Sequence, residues 1–184
     1  MKTINEIGYK KGLKFFLYSV YEVIIHRFLN HLLYFPIFRK ISLQLVGASI
    51  GNLTQIMDVK FFNWHHRGPG GLKIGNECFI GDETLIDLYD SVVIGNQVTI
   101  AQRVTMLTHL NVGYQNHPLQ KYFPKQSKPI NLEDGCVVGA SATILPGVTV
   151  GKESFIAAGS VVTADIPPNS LYAGVPAKLV RKIR

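Results

Sequence analysis

The sequence predicts a mainly β chain wound as a parallel β-solenoid, with an α-helical segment ahead of it and one long loop inserted in a coil. Two observations carry this. Between Val137 and Ile166 an aliphatic side chain returns at every sixth position, at Val138, Ile144, Val150, Ile156 and Val162. Four residues after each stands a second, mostly smaller side chain, at Ala142, Val148, Ser154, Ser160 and Ile166. A six-residue step turns an α-helix through about 600°, which scatters these side chains over different faces. A strand keeps its parity over six residues, so both positions point the same way. Short extended segments joined by corners, each stacked on a copy from another coil, satisfy the pattern.

The same frame runs upstream. Ile74, Ile80 and Ile86 lie six apart, with Cys78 and Thr84 in the second position. After a two-residue slip at "SVV" it restarts at Ile94, Ile100 and Met106, with Val98 and Val104 in the smaller slots. Ile50, Ile56 and Phe62 continue the spacing, so a first, irregular coil is expected from near Val46 and the solenoid over residues 46–168. Two stretches break the frame. Residues 107–129 carry Gly113, Pro118, Pro124 and Pro129 with no six-residue step, and a loop this long on a compact solenoid is more often functional than decorative. "WHHRGPGG", at Trp64 to Gly71, reads as a shorter surface turn. One repeat alone buries little, so several must stack and the ends need caps.

Residues 1–45 are the expected N-terminal cap. Their apolar run is interrupted by Glu22, His26, Arg27 and His31 before about twenty apolar residues accumulate, which argues against a membrane span. No small-residue cleavage site follows, so a secretory signal is not supported. Phe15, Tyr18, Tyr21 or Glu22, Ile25, Leu29 and Leu32 fall near helical spacing, with Pro36 as a stop. Such a helix packs on the solenoid or on a neighbouring subunit. The alternative is contact with a membrane surface, helped by Lys10, Lys11, Lys14, Arg39 and Lys40. With 184 residues and an apolar share of 47%, the chain has material for one substantial core. A net charge of +7 favours anionic partners, yet no recognition helix or aromatic stacking motif points to nucleic acid. Cys78 and Cys136 stand alone and far apart, as core residues of a protein from a reducing compartment. The remainder, 169–184, is a basic C-terminal tail.

The repeated frame, the "TH" of Thr108 and His109 opening the long loop, and "YAGVPAKLVRKI" near the end together resemble the hexapeptide-repeat acyltransferases, over roughly residue 74 onward. Within that family the chain looks most like the sugar O-acetyltransferases acting on galactosides, maltose and bacterial surface polysaccharides. The resemblance implies a left-handed parallel β-helix. Periodicity does not supply that hand, since general packing rules favour right-handed parallel crossovers. It also implies acyl transfer from acetyl-CoA to a carbohydrate or sugar-nucleotide acceptor, in a cleft between subunits of a homotrimer. Such an enzyme is expected in the cytoplasm, at the inner membrane face where the acceptor is lipid-linked.

A sugar hydroxyl is a poor nucleophile at neutral pH, and an imidazole can remove its proton as it attacks the thioester. His109, at the family's "TH" step, is the expected general base. No carboxylate adjoins it in sequence, so a backbone carbonyl or an acid folded back from elsewhere must orient it. Asp87, in "LID", matches the family's acceptor-binding acid, or is a polar corner residue. Phe79 stands where the family often has an acceptor-contacting Asn, which departs from the simple galactoside pattern. For acetyl-CoA the matched positions are Ala140, Ala158 and Thr163, small residues that let the pantetheine arm approach backbone. Ala164 replaces the family's Lys, and Lys178, Arg181 and Lys182 could supply that charge to the 3′-phosphate. Gamma-class carbonic anhydrases share the solenoid and hold zinc with three histidines. Their close His pair is absent, so no metal is expected and His65, His66 and His117 are read as loop residues. The rival activities are N-acetylation of a nucleotide-linked amino sugar and acetylation of an antibiotic; the rival class is a non-catalytic scaffold.

Overall fold

The computed structural model describes residues 9–24, 35–114 and 116–183. Its strands are mostly two to four residues long and wind into three parallel sheets. The first sheet stacks Ser49–Ile50, Leu72–Ile74, Val92–Ile94, Ile130–Leu132 and Thr149–Val150. The second stacks Gln55–Ile56, Phe79–Ile80, Thr99–Ile100, Val137–Val138 and Phe155–Ile156. The third stacks Val59–Phe62, Thr84–Asp87, Thr105–Met106, Thr143–Ile144 and Val161–Val162. Five coils of a β-solenoid result.

The expected columns are present. Ile80, Ile100, Val138 and Ile156 are paired partners in successive coils, and each is fully buried. Ile86, Met106, Ile144 and Val162 form the matching column of the third sheet. The second inward positions are buried as well, and where polar they are bonded. Ser154 donates its hydroxyl to the Pro167 carbonyl at 2.7 Å and accepts the Ser170 N–H at 3.2 Å. Cys78 and Cys136 are free and buried, and burial pushes the Cys136 thiol up to about 12.

Corners repeat as strictly as strands. Asn52 donates its N–H to the Asn76 side chain at 2.8 Å, Asn76 to Asn96 at 2.9 Å, and Asn96 to Asp134 at 2.7 Å, forming a polar ladder up one edge. Beside it a Cβ on Gly75 would lie 2.5 Å from the Gly95 carbonyl oxygen, so this corner stacks closely only with glycine. The long loop does not disturb the stack. Leu132 pairs with Ile94, Val138 with Ile100 and Ile144 with Met106, so the columns re-form in register on its far side.

Three local expectations change. In the first coil Phe61, not Phe62, takes the inward place opposite Ile86, and Phe62 falls opposite Asp87. The corner after Ile56 is one residue tighter, so Val59 and Phe61 carry the buried parity. The Trp64 to Gly71 stretch is a short helix, Trp64–Arg67, followed by a 3-10 turn, Pro69–Gly71. Buried Trp64 packs edge-on against Phe61 at 4.7 Å. The basic C-terminal stretch folds back: Ser170–Ala173 adds to Phe155–Ile156 in parallel, and Lys178–Lys182 returns antiparallel along it.

Helix Pro36–Leu45 closes the first coil, with Leu43 buried and the Gln44 amide donating to the Ile50 carbonyl at 2.8 Å. Its Ile37, Phe38, Ile41 and Leu45 are exposed, as are Phe16 and Leu17 of helix Tyr9–Val23. The latter helix meets helix Trp64–Arg67 through Phe15, edge-on to His65 at 5.3 Å. Ile25, Leu29 and Leu32 of the expected helical stripe, with His26, Arg27 and His31, lie outside the described residues. Among the described residues no helix is long and apolar enough to cross a membrane.

Replacing Ile100 by Ala opens a hole in the middle of a column and is expected to cost about 2–5 kcal/mol in chemical denaturation. Ile37→Ala, on an exposed helix face, is expected to stay within about 0.5 kcal/mol of wild type.

Candidate active site

Strand Thr84–Asp87 ends one residue past the inward Ile86, which leaves Asp87 at the corner with its side chain 0% exposed. Strand Thr105–Met106 lies on the next coil, Met106 opposite Ile86, so the chain leaving it passes over the same corner. There the long loop begins as a two-residue antiparallel ladder, His109 opposite Ser127 and Leu110 opposite Gln126. Stacking of neighbouring coils thus brings Asp87 and His109 together.

A carboxylate buried this completely must be bonded on every side. Asp87 Oδ1 accepts the Asn63 side-chain amide at 2.7 Å and the Tyr89 N–H at 3.0 Å. Oδ2 accepts the Thr108 N–H at 3.0 Å and contacts His109 Nδ1. Burial alone would raise the carboxyl pKa, but the bonds from Asn63, His109, Tyr89 and Thr108 together outweigh it and hold Asp87 below the usual carboxylate range. Asp87 is therefore ionised at neutral pH and accepts only, so Nδ1 of His109 is the donor in this contact, and the neutral imidazole keeps its lone pair on Nε2. The His109 side chain is 22% exposed.

Rings line the other side of the His109 imidazole. Tyr89 stacks on His109 at 4.6 Å between centroids and 16° between planes. His66 lies against Tyr89 at 3.7 Å, and His65 against His66 at 4.2 Å. From the long loop, Lys125 Nζ sits 4.9 Å from the Tyr89 ring centre. Burial, then the nearby His65, Lys125 and His109, lower the His66 pKa to about 4, so its ring is neutral here at pH 7. Arg67 pairs with Asp90 at 3.0 Å, and the Asp90 N–H donates to the Thr108 hydroxyl at 2.9 Å. Among the described residues no three His, Cys, Asp or Glu side chains gather as a metal site.

The remaining expected residues fall elsewhere. Ala140 and Ala158 follow Val138 and Ile156 on neighbouring coils, at the corner entering the third sheet, where the Gly159 N–H donates to the Ala140 carbonyl at 2.9 Å. Exposed Thr163 follows Val162 at the opposite corner of that sheet, the corner from which His109 departs two coils away. Lys178 and Arg181 are exposed on the returning C-terminal strand, whereas Lys182 donates to the Ser170 hydroxyl at 3.0 Å. Both oxygens of Asp87 are bonded from within the chain. Asn63, Tyr89 and Lys125 were not anticipated. The stacking of Ile86 on Met106 is the signal that, followed around the corner, places Asp87 beside His109.

A family model described as the hexapeptide repeat of succinyl-transferase matches residues 71–101 and 129–164. The galactoside O-acetyltransferase of Escherichia coli (strain K12) is 43% identical over 147 residues, 79% of this chain and 68% of that protein. The chain belongs to the hexapeptide-repeat acyltransferases. A maltose O-acetyltransferase structure from Clostridium difficile 630 superposes with a TM-score of 0.65 at 25% identity, covering 79% of this chain and 75% of that one. A hexapeptide-repeat acetyltransferase from Vibrio cholerae, solved with acetyl coenzyme A, shares the fold over 99% of this chain and 90% of its own, with a TM-score of 0.62 at 22% identity. As an acyltransferase, the chain places its frame-breaking loop where the family's repeat gives way between the two matched segments.

Because the His66 pKa is lowered to about 4, the unfolded chain takes up a proton on this residue at higher pH than the folded one does. Stability is expected to fall as pH drops from about 6.5 towards 4, and His66→Gln to flatten that slope, as read from denaturation midpoints across the range.

Proposed function

We propose that this acyltransferase is an acetyl-CoA-dependent O-acetyltransferase of a carbohydrate acceptor, with His109 as general base and Asp87 as its orienting partner. The single observation that carries the reading is the buried, ionised carboxylate on His109 Nδ1, which leaves Nε2 as the basic nitrogen of a partly exposed side chain at the mouth of the long loop. Nε2 takes the proton of the acceptor hydroxyl as its oxygen attacks the thioester carbonyl. The new oxygen–carbon bond forms, the carbon–sulfur bond breaks, and the imidazolium returns the proton to the departing coenzyme A sulfur. Asp87 stabilises that imidazolium without itself taking a proton, so the role proposed for it moves from acceptor binding to positioning.

Ala140, Ala158 and Thr163 offer small residues along the coil edges for the pantetheine arm, with exposed Lys178 and Arg181 as the cations for the phosphates. The alanines and His109 stand at opposite ends of the third sheet, an arrangement that suits a cleft completed by a neighbouring subunit of a trimer. The exposed Phe16, Leu17, Ile37 and Phe38, with the basic N-terminal sequence, support a cytoplasmic enzyme resting on an anionic inner membrane face, for an acceptor in surface polysaccharide assembly. Flotation with anionic vesicles tests that placement, and a chain left at the bottom of the gradient would refute it.

Acetyl-CoA consumption measured over matched hydroxyl and amino sugars and their nucleotides tests the activity. His109→Ala is expected to lower turnover by about 10²–10⁴-fold while acetyl-CoA binding is retained. Asp87→Asn is expected to lower it at least about 10-fold, because an amide no longer fixes the imidazole tautomer. Turnover confined to amino sugars would replace O-acetylation by N-acetylation, and equal turnover in His109→Ala would move the base elsewhere.

A further inference from the structure

We propose that Tyr89 is a positioning residue for the base, holding both members of the Asp87–His109 pair through its backbone and its ring. The proposal rests on the reading of His109 as the base. One hydrogen bond at Nδ1 fixes a point on the imidazole but leaves the ring free to swing about that contact. A face contact removes that freedom, and Tyr89 supplies it at 4.6 Å with planes only 16° apart. The same residue donates its N–H to Asp87 Oδ1 at 3.0 Å, so a displacement of Tyr89 would move carboxylate and imidazole together.

Tyr89 is itself held. His66 backs it at 3.7 Å, with His65 and then Phe15 behind, a row of rings reaching from helix Tyr9–Val23 to the base. The backbone just beyond is fastened to the base's own segment, since the Asp90 N–H donates to the Thr108 hydroxyl at 2.9 Å and Arg67 pins the Asp90 carboxylate at 3.0 Å. A side chain that only filled space would not need the flat stack.

The stack also acts on charge. The face of an aromatic ring attracts a cation, so Tyr89 stabilises the imidazolium that forms when His109 takes the acceptor's proton. The groups around this centre are Asp87 and Asp90 at the corner, His66 and Arg67 on the short helix, and Lys125 on the loop. Asp87 favours the charged imidazole, Lys125 opposes it, neutral His66 is indifferent, and Arg67 is neutralised by Asp90.

The test is an NMR titration of the His109 imidazole in the full chain labelled at histidine, with His109→Ala to assign the signal. Wild type, Tyr89→Phe, Tyr89→Leu and Tyr89→Ala are compared. Phe keeps the ring and is expected to titrate as wild type. Leu, which keeps bulk without a π face, and Ala are expected to lower the His109 pKa by about half a unit. In the acetyl-transfer assay both are expected to lower kcat about 10-fold with KM for acetyl-CoA unchanged, and Phe to restore it. A His109 titration in Tyr89→Leu that matches wild type, or a Phe variant as impaired as Leu, would overturn the proposal. The titration needs no acceptor, so its failure is distinct from failure of the acetyltransferase reading, which His109→Ala turnover decides.

Discussion

Val138 sits above Ile100 and below Ile156, each the backbone partner of the next, and the molecule is a consequence of keeping such columns in register. A two-residue strand has too few hydrogen bonds to persist by itself, and a six-residue repeat has too little surface to form a core. Stacking solves both at once. Every backbone group of a side finds its partner in the next coil while one aliphatic residue per side is added to a continuous interior. The small second positions, the Asn76–Asn96–Asp134 ladder and the closely packed Gly75 corner all serve that single spacing.

Chemistry is confined to what this spacing leaves over. Inward residues are committed to the columns and strand backbones to each other, so reactive side chains belong at corners. Asp87 shows how a corner can support a charge. Its carboxylate is wholly buried, an expensive position for an anion, yet four donors drawn from Asn63, Tyr89, Thr108 and His109 keep it ionised. Three of those donors arrive from neighbouring coils and the fourth, Tyr89, from just beyond the strand, so the electrostatics of this corner are a product of the stacking. His66, on the same row of rings, goes the opposite way: with no carboxylate of its own, burial and nearby cations keep it neutral.

The solenoid was legible in the sequence because parity is a local property. Ile74, Ile80 and Ile86 announce an inward face without any knowledge of their neighbours. His109 was legible because it breaks the frame at a coil exit, where the family resemblance also placed it. The partner of His109 was not, since which acid lies beneath a histidine depends on how many residues each coil consumes, and the slip at "SVV" had to be carried around the corner. Phe62 was misplaced for the same reason: one residue fewer at a bend exchanges inside for outside. Tyr89 and Lys125 left no periodic mark, because rings that meet across a short helix, a corner and a loop share no sequence spacing.

The long loop leaves the stack at His109 and rejoins it beside Ser127, and the columns above and below are unaware of what lies between. Closing a loop becomes only slowly harder as it lengthens, so this excursion can be rebuilt in length and composition while its two anchored ends stay put. The solenoid is thus a chassis with an exchangeable front. The chain can vary most freely in this segment without disturbing the bonds that hold Asp87 at its corner.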